Sequence, residues 1–284
     1  MEGHWKRKVV YDRFARTRPA LVLPDRERHM DNAEFEPRFL LDYLWFGCMI
    51  LAHQSRVLNE AHAAEADADR RRAYLLAIHT NLIQECEHVA AWLLAFRRWG
   101  ASRTPLIETL LRYKPGEAYL EACLGGVADG HDLLRVSGID RDRLVPMYIP
   151  RDQFDDRVAD LWAGFSYYAD QQGERAQLYN KSKHGMVFVS SARVLNAQVN
   201  DIGPLALYAH DRHADPIRVA HIGLRDAPDQ PGVMARQTRK MAHALGDIIL
   251  FYLLQEHPAS EADVNETLNS RESMLMLPPG DPSW

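Results

Sequence analysis

At 284 residues, with 46% hydrophobic and 26% charged side chains, the chain is long enough to bury a sizeable core and has the make-up of a globular protein. A net charge of −5 excludes a generally basic, nucleic-acid-coating surface, so any RNA or DNA contact must come from a local basic patch. Three widely spaced cysteines, Cys48, Cys86 and Cys123, form no CxxC and read as buried thiols of a reducing compartment.

Residues 1–33 carry Lys6, Arg7, Lys8, Arg13, Arg16, Arg18, Arg26 and Arg28, interrupted by Pro19 and Pro24. They read as an irregular basic arm without the continuous apolar stretch of a signal peptide. The most apolar run, from Phe39 to Ala52, is broken by Asp42 and Gly47 and falls short of the ~20 residues that span a bilayer. The expectation is a cytoplasmic protein with no membrane partner.

Glu36-Pro37 opens a helix, with proline tolerated in the first turn, and apolar positions continue it to about Leu58. From Arg70 to about Trp99 the residues Leu75, Ile78, Leu82, Cys86, Val89, Leu93 and Phe96 recur every three or four positions. That period predicts a second long helix, stopped by Gly100. Thr104-Pro105 starts a short helix that ends near Tyr113. Glu117 to Val136 reads as a third major helix, with Gly125, Gly126 and Gly130 weakening its middle. Asp152 opens another, with Phe154, Val158, Leu161, Trp162, Phe165 and Tyr168 on one side. Gly173 interrupts it, and it resumes from Glu174 to His184.

After Gly185 the period changes. Met186–Ser190, Leu205–Tyr208 and Ile217–Leu224 read as short strands, a small antiparallel β insertion over residues 186–224. A last helix, Val233 to Gln255, is very apolar towards its end, and residues 256–284 form a loose acidic tail. The fold class is therefore mainly α: a single domain over residues 1–284, a helical bundle with a small antiparallel β insertion.

No phosphate-cradling glycine loop, GxSxG elbow or HExxH is present, which removes the commonest enzyme classes. The stretch Tyr179-Asn180-Lys181-Ser182-Lys183-His184-Gly185 is the chain's one concentrated cluster of candidate groups. Asn180 and His184 share one helical face, and Tyr179 and Lys183 share its neighbour. His184 at a helix C-terminus meets the negative end of the macrodipole, which favours imidazolium. Flanked by Lys181 and Lys183, it has the chemistry to bind phosphate or trade protons with a ribose hydroxyl. The same residues also complement a helix end, with glycine as its cap.

A polar residue followed by histidine at helical spacing, late in a helical bundle, resembles the HEPN superfamily. Those helical domains often dimerise and include metal-independent ribonucleases of toxin–antitoxin, CRISPR and phage-defence systems. Their signature is an arginine, usually followed by a polar residue, with a histidine four to six positions later. Asn180 and His184 match the polar residue and the histidine, while Tyr179 stands where the pattern carries arginine; Arg175 is nine residues before His184. The resemblance implies RNA or a protein partner, a homodimer and no cofactor, with His184, Asn180 and Lys183 acting on the substrate. Lys181, Tyr179 and Arg175 would bind it, and Arg236, Arg239 and Lys240 on the last helix extend the basic patch if the two helices pack together.

Two further readings stand beside this one. Glu85-Cys86-Glu87-His88 contains an ExxH, the half-motif of di-iron bundles, so a metal-dependent oxidase would use Glu85 and His88. The chain has no second ExxH, and His243 with Asp247, or Asp42, Asp129 and Asp132, would have to complete the site. His210-Asp211-Arg212-His213-Ala214-Asp215 is a second place for ligands, in a turn. The third reading is a non-enzymatic scaffold in which the Tyr179–Gly185 stretch is structural.

Overall fold

A computed structural model describes residues 32–114, 117–145, 154–183, 188–189, 202–209, 219–225 and 227–256. The chain divides into two units, Met1–Phe35 and Glu36–Trp284, and the contacts that follow lie within the second. The order of elements is mainly helical. Helix α1 (Asn32–Trp45) is followed by a 3₁₀ turn (Gly47–Met49), α2 (Ile50–Ala64) and α3 (Ala68–Ser102). Four short helices come next: α4 (Leu106–Arg112), α5 (Leu120–Leu124), α6 (Gly130–Val136) and α7 (Arg141–Leu144). The long helices α8 (Phe154–Lys183) and α9 (Gln230–Glu256) complete the bundle.

Helix α3 is the spine. Asp67 starts it by accepting the Arg70 N–H at 2.8 Å, satisfying one of the donors a helix start leaves over. At 1.5 Å per residue its 35 residues reach about 50 Å. Each of Leu75, Ile78, Leu82, Cys86, Val89, Leu93 and Phe96 is at most 2% exposed, so the three-four spacing does mark the buried face. Gly100, expected as the stop, is not one. The helix runs on to Ser102 and closes on Arg103, a left-handed residue (φ 57°) whose N–H donates to the Trp99 carbonyl at 2.8 Å. Glycine stands at position 100 because the end of α6 crosses there. A side chain would meet the Val136 carbonyl and the Gly138 nitrogen.

The helix expected from Glu36 to Leu58 is broken by the 3₁₀ turn at Gly47, and Cys48 beyond the break donates its thiol to the Ala242 carbonyl at 2.9 Å. The helix expected over Glu117–Val136 is two helices. Gly126 takes φ 77° between them, and the Asp129 carboxylate caps α6 by accepting the Asp132 N–H. Gly173, in contrast, interrupts nothing, and α8 is continuous. One interior glycine costs a helix only about 1 kcal/mol, less than a 30-residue helix supplies by packing. The last helix starts earlier than expected, at Gln230, with Pro231 and Gly232 in its first turn.

Helix α9 runs through the bundle, packed on α2, α3 and α8. Its apolar end is buried all round, as a central helix requires. Near its end the Tyr252 hydroxyl donates to Glu36 Oε1 at 2.6 Å, and the other oxygen of that carboxylate accepts the Ile107 N–H at 3.1 Å. Glu36 thus ties α1, α4 and α9 together and supplies the cap that Pro105 cannot. All three cysteines are free and buried, and burial pushes the Cys123 thiol up to about 11.

Between α8 and α9 lie β1 (Phe188–Val189), β2 (Ile202–Ala209) and β3 (Val219–Arg225), paired antiparallel in that order. Ala206 is the partner of Phe188 on one side and of Ile222 on the other. The register slips between Ile202 and Leu205, across Gly203-Pro204, where proline has no N–H for the ladder. Of the expected arm over residues 1–33, only Asn32 and Ala33 are described. The tail beyond Glu256 and the turn from His210 to Pro216 lie outside the described residues. No described helix is long and apolar enough to cross a membrane.

Candidate functional site

Helices α8 and α9 pass each other antiparallel. The Phe154 and Phe251 ring centroids are 5.2 Å apart at one end, and Arg157 lies 3.8 Å from Asp247 one turn further in. Two turns on, Gly164 sits against Ala244 so tightly that a Cβ there would be 3.0 Å from the alanine methyl. Small residues at the crossing and long ones beside it leave a cleft of about 650 Å³ along the helix pair, a size usual for small-ligand sites.

The two ends of this cleft differ. At the Arg157 end the charges are mixed: Arg157 pairs with the buried Asp247, and Asp160 lies nearby on the same helix. Towards the end of α8 the lining is cationic, polar and aromatic. Arg236 and Lys240 are four residues apart on α9, hence on one face, and both are exposed. Among the described residues neither has a carboxylate within ion-pair distance. Between them Gln237 is 7% exposed and its Oε1 has no donor among the described residues. From α8, Tyr167 is 57% exposed, with its ring perpendicular to that of the buried Tyr168 at 4.8 Å.

His243 also lines the cleft and accepts from Arg239 Nε at 3.3 Å through Nε2. An imidazole accepting at Nε2 carries its proton on Nδ1. This contact turns Arg239 towards its own helix, and Arg239 is not among the lining residues.

The sequence-derived candidates therefore fall in three places. Arg236, Lys240, His243 and Asp247 come together in the cleft. Arg175, Tyr179, Asn180, Lys181 and Lys183 stand on the last turns of α8, and His184 lies outside the described residues. Tyr179 is eleven residues past Tyr168, about 16 Å further along the same helix.

Glu85 and His88 line no part of the cleft. Glu85 Oε2 is 3.8 Å from His88 Nδ1, and Glu85 Oε1 is buried with no donor among the described residues. Burial pushes the carboxyl up to about 8 and pulls the imidazole below its usual value. Around neutral pH burial therefore favours the uncharged form of both. Among the described residues no three His, Cys, Asp or Glu side chains come together as a metal site would need.

Arg157, Asp160, Tyr167 and Gln237 were not singled out by sequence. A signal was present: Gly164 lies beside the unbroken apolar stripe Phe154, Val158, Leu161, Phe165 and Tyr168 of α8, a small residue where another helix comes close, and Asp160 and Tyr167 flank it four positions before and three after. No protein-family model matches the chain, and no curated protein or solved structure does so either.

Proposed function

We propose that the chain is a HEPN-like helical protein that binds RNA along the α8–α9 pair, with residues 186–224 as a small antiparallel β insertion between those helices. One observation carries the reading. On a chain of net charge −5, Arg157 from one helix and Arg236 and Lys240 from the other line a single cleft. Exposed cations clustered in a concave site are what a phosphate backbone requires. Arg175, Lys181 and Lys183 continue the basic sequence along the same helix. In this proposal Asn180, Lys183 and His184 are the groups that act if the RNA is cleaved, without a metal, as in nucleases of the defence or toxin–antitoxin type. A homodimer would place two such surfaces on one particle, in the cytoplasm.

The test is binding of a fluorescent single-stranded RNA by anisotropy, from 50 to 200 mM salt. The double variant Arg236→Gln/Lys240→Gln removes two exposed charges without touching the core. It should weaken binding at low salt and flatten the salt slope by about 1.4, since each phosphate contact on a single strand contributes about 0.7. Equal affinity and slope in variant and parent, or no binding by the parent at low salt, overturn the proposal. Capture of a protein in place of RNA has the same consequence. For cleavage the comparison is the parent against His184→Ala, and equal cleavage by both removes His184 from the chemistry.

A further inference from the structure

Arg236 and Lys240 account for phosphate, but not for the other two features at their end of the cleft. Tyr167 keeps more than half its surface in water although it is a large ring beside a buried neighbour. Its ring meets that of Tyr168 edge-on at 4.8 Å, and a tyrosine has only two side-chain torsions to fix, so ordering it on a ligand costs little. Gln237 is a nine-tenths-buried amide in the floor of the cleft whose oxygen meets no N–H or O–H among the described residues. A buried acceptor left unmatched is unfavourable, and a ligand that supplies a donor relieves it.

Resting on the RNA-binding reading above, we infer that this end of the cleft holds one unstacked nucleotide of a single strand. Its phosphate lies on Arg236 and Lys240, its base stacks on Tyr167, and an N–H or O–H of the base or ribose is given to Gln237 Oε1.

Three kinds of partner are thereby met by three kinds of group within two turns of each helix. An aromatic face takes any base, because every base has a π-face, and the amide adds a preference for a donor-bearing edge. A duplex offers neither, since its bases are stacked and paired, so the site selects single strands. At the opposite end Arg157 is paired with Asp247 and Asp160 adds a negative charge, so among the described residues the cations left for a phosphate are Arg236 and Lys240.

The experiment uses the full chain and two labelled single strands of equal length, one of ordinary RNA and one carrying abasic sites. Tyr167→Ala should weaken binding of ordinary RNA about 5- to 150-fold, the usual range for loss of one base–aromatic stack. It should leave the salt slope and the affinity for the abasic strand unchanged. Tyr167→Phe retains the face and should bind as the parent does. Gln237→Leu should raise or hold the melting temperature, because a buried acceptor with no donor among the described residues is removed, while lowering affinity for ordinary RNA but not for the abasic strand.

The inference fails if RNA is bound but Tyr167→Ala matches the parent, or if ordinary and abasic strands bind alike. In either case the charge-based reading stands. If the parent binds neither strand at low salt, both fail together.

Discussion

Glu85→Gln tests how the core of this bundle is assembled, and its effect should depend on pH in an unusual direction. Glu85 is 1% exposed on the spine helix, its Oε1 meets no donor among the described residues, and its Oε2 lies 3.8 Å from His88 Nδ1. In the unfolded chain the carboxyl ionises near 4.5, and in the folded one burial holds it protonated up to about 8. Between those values the folded state binds a proton that the unfolded state has released. Stability conferred on the acid side is therefore lost as pH rises through this window, and the loss is complete above it. Each unit is worth about 1.4 kcal/mol. The window thus costs the parent about 3 kcal/mol by pH 7 and about 5 kcal/mol above pH 8, a large part of the 5–15 kcal/mol typical of a domain. His88 works in the opposite sense: its lowered value means that stability is lost as pH falls below 6.5. Comparing variant with parent cancels every group the substitution does not touch, and His88, beside Glu85, is uncharged in folded and unfolded chains alike well above pH 6.5, where the largest difference is read. Glutamine has nearly the same shape and no charge. Urea unfolding at pH 5, 7 and 8.5 should show parent and Glu85→Gln within about 1 kcal/mol at pH 5. The variant should be ahead by several kcal/mol at pH 8.5. A gap that stays constant across the range refutes the reasoning, because it would mean that Glu85 ionises in the folded protein as it does in the unfolded one.

Two further substitutions probe the frame that holds the cleft helices. Gly100→Ala pushes a methyl into the crossing of α3 with the end of α6, 2.8 Å from the Gly138 nitrogen and onto the Val136 carbonyl. Since both neighbours are backbone, the loss should reach about 3 kcal/mol, read as a lowered urea midpoint with an unchanged slope. An unchanged midpoint contradicts the close approach. Tyr252→Phe keeps the ring contacts with Phe96 and Trp99 but removes the 2.6 Å hydrogen bond to Glu36 Oε1. It should cost about 1–3 kcal/mol, a fall of several degrees in melting temperature, and a variant as stable as the parent means that the carboxylate finds another partner.

What could be read in the sequence was whatever the periodicity of single helices encodes. The apolar stripe of α3 and the apolar end of α9 follow from residues three and four apart, and both proved buried. Glycines were harder, because three different causes look alike in a sequence. Gly126 breaks a helix through its own backbone angle, Gly173 breaks nothing, and Gly100 is present for a neighbour about 36 residues away in sequence. The same limit explains the site. Arg236 and Lys240 were recognisable as a basic pair, but whether they face water or a cleft depends on the helix they pack against. That partner was hidden in a single small residue, Gly164, whose meaning is a contact with Ala244 some 80 positions later. Long-range approach of two backbones leaves only the absence of a side chain as its local trace. The cleft that results carries the proposed RNA binding, and no pattern of the individual helices contains it. In a bundle of this kind a small residue beside a bulky stripe therefore marks where two helices come close and where the polar residues flanking it line a cleft.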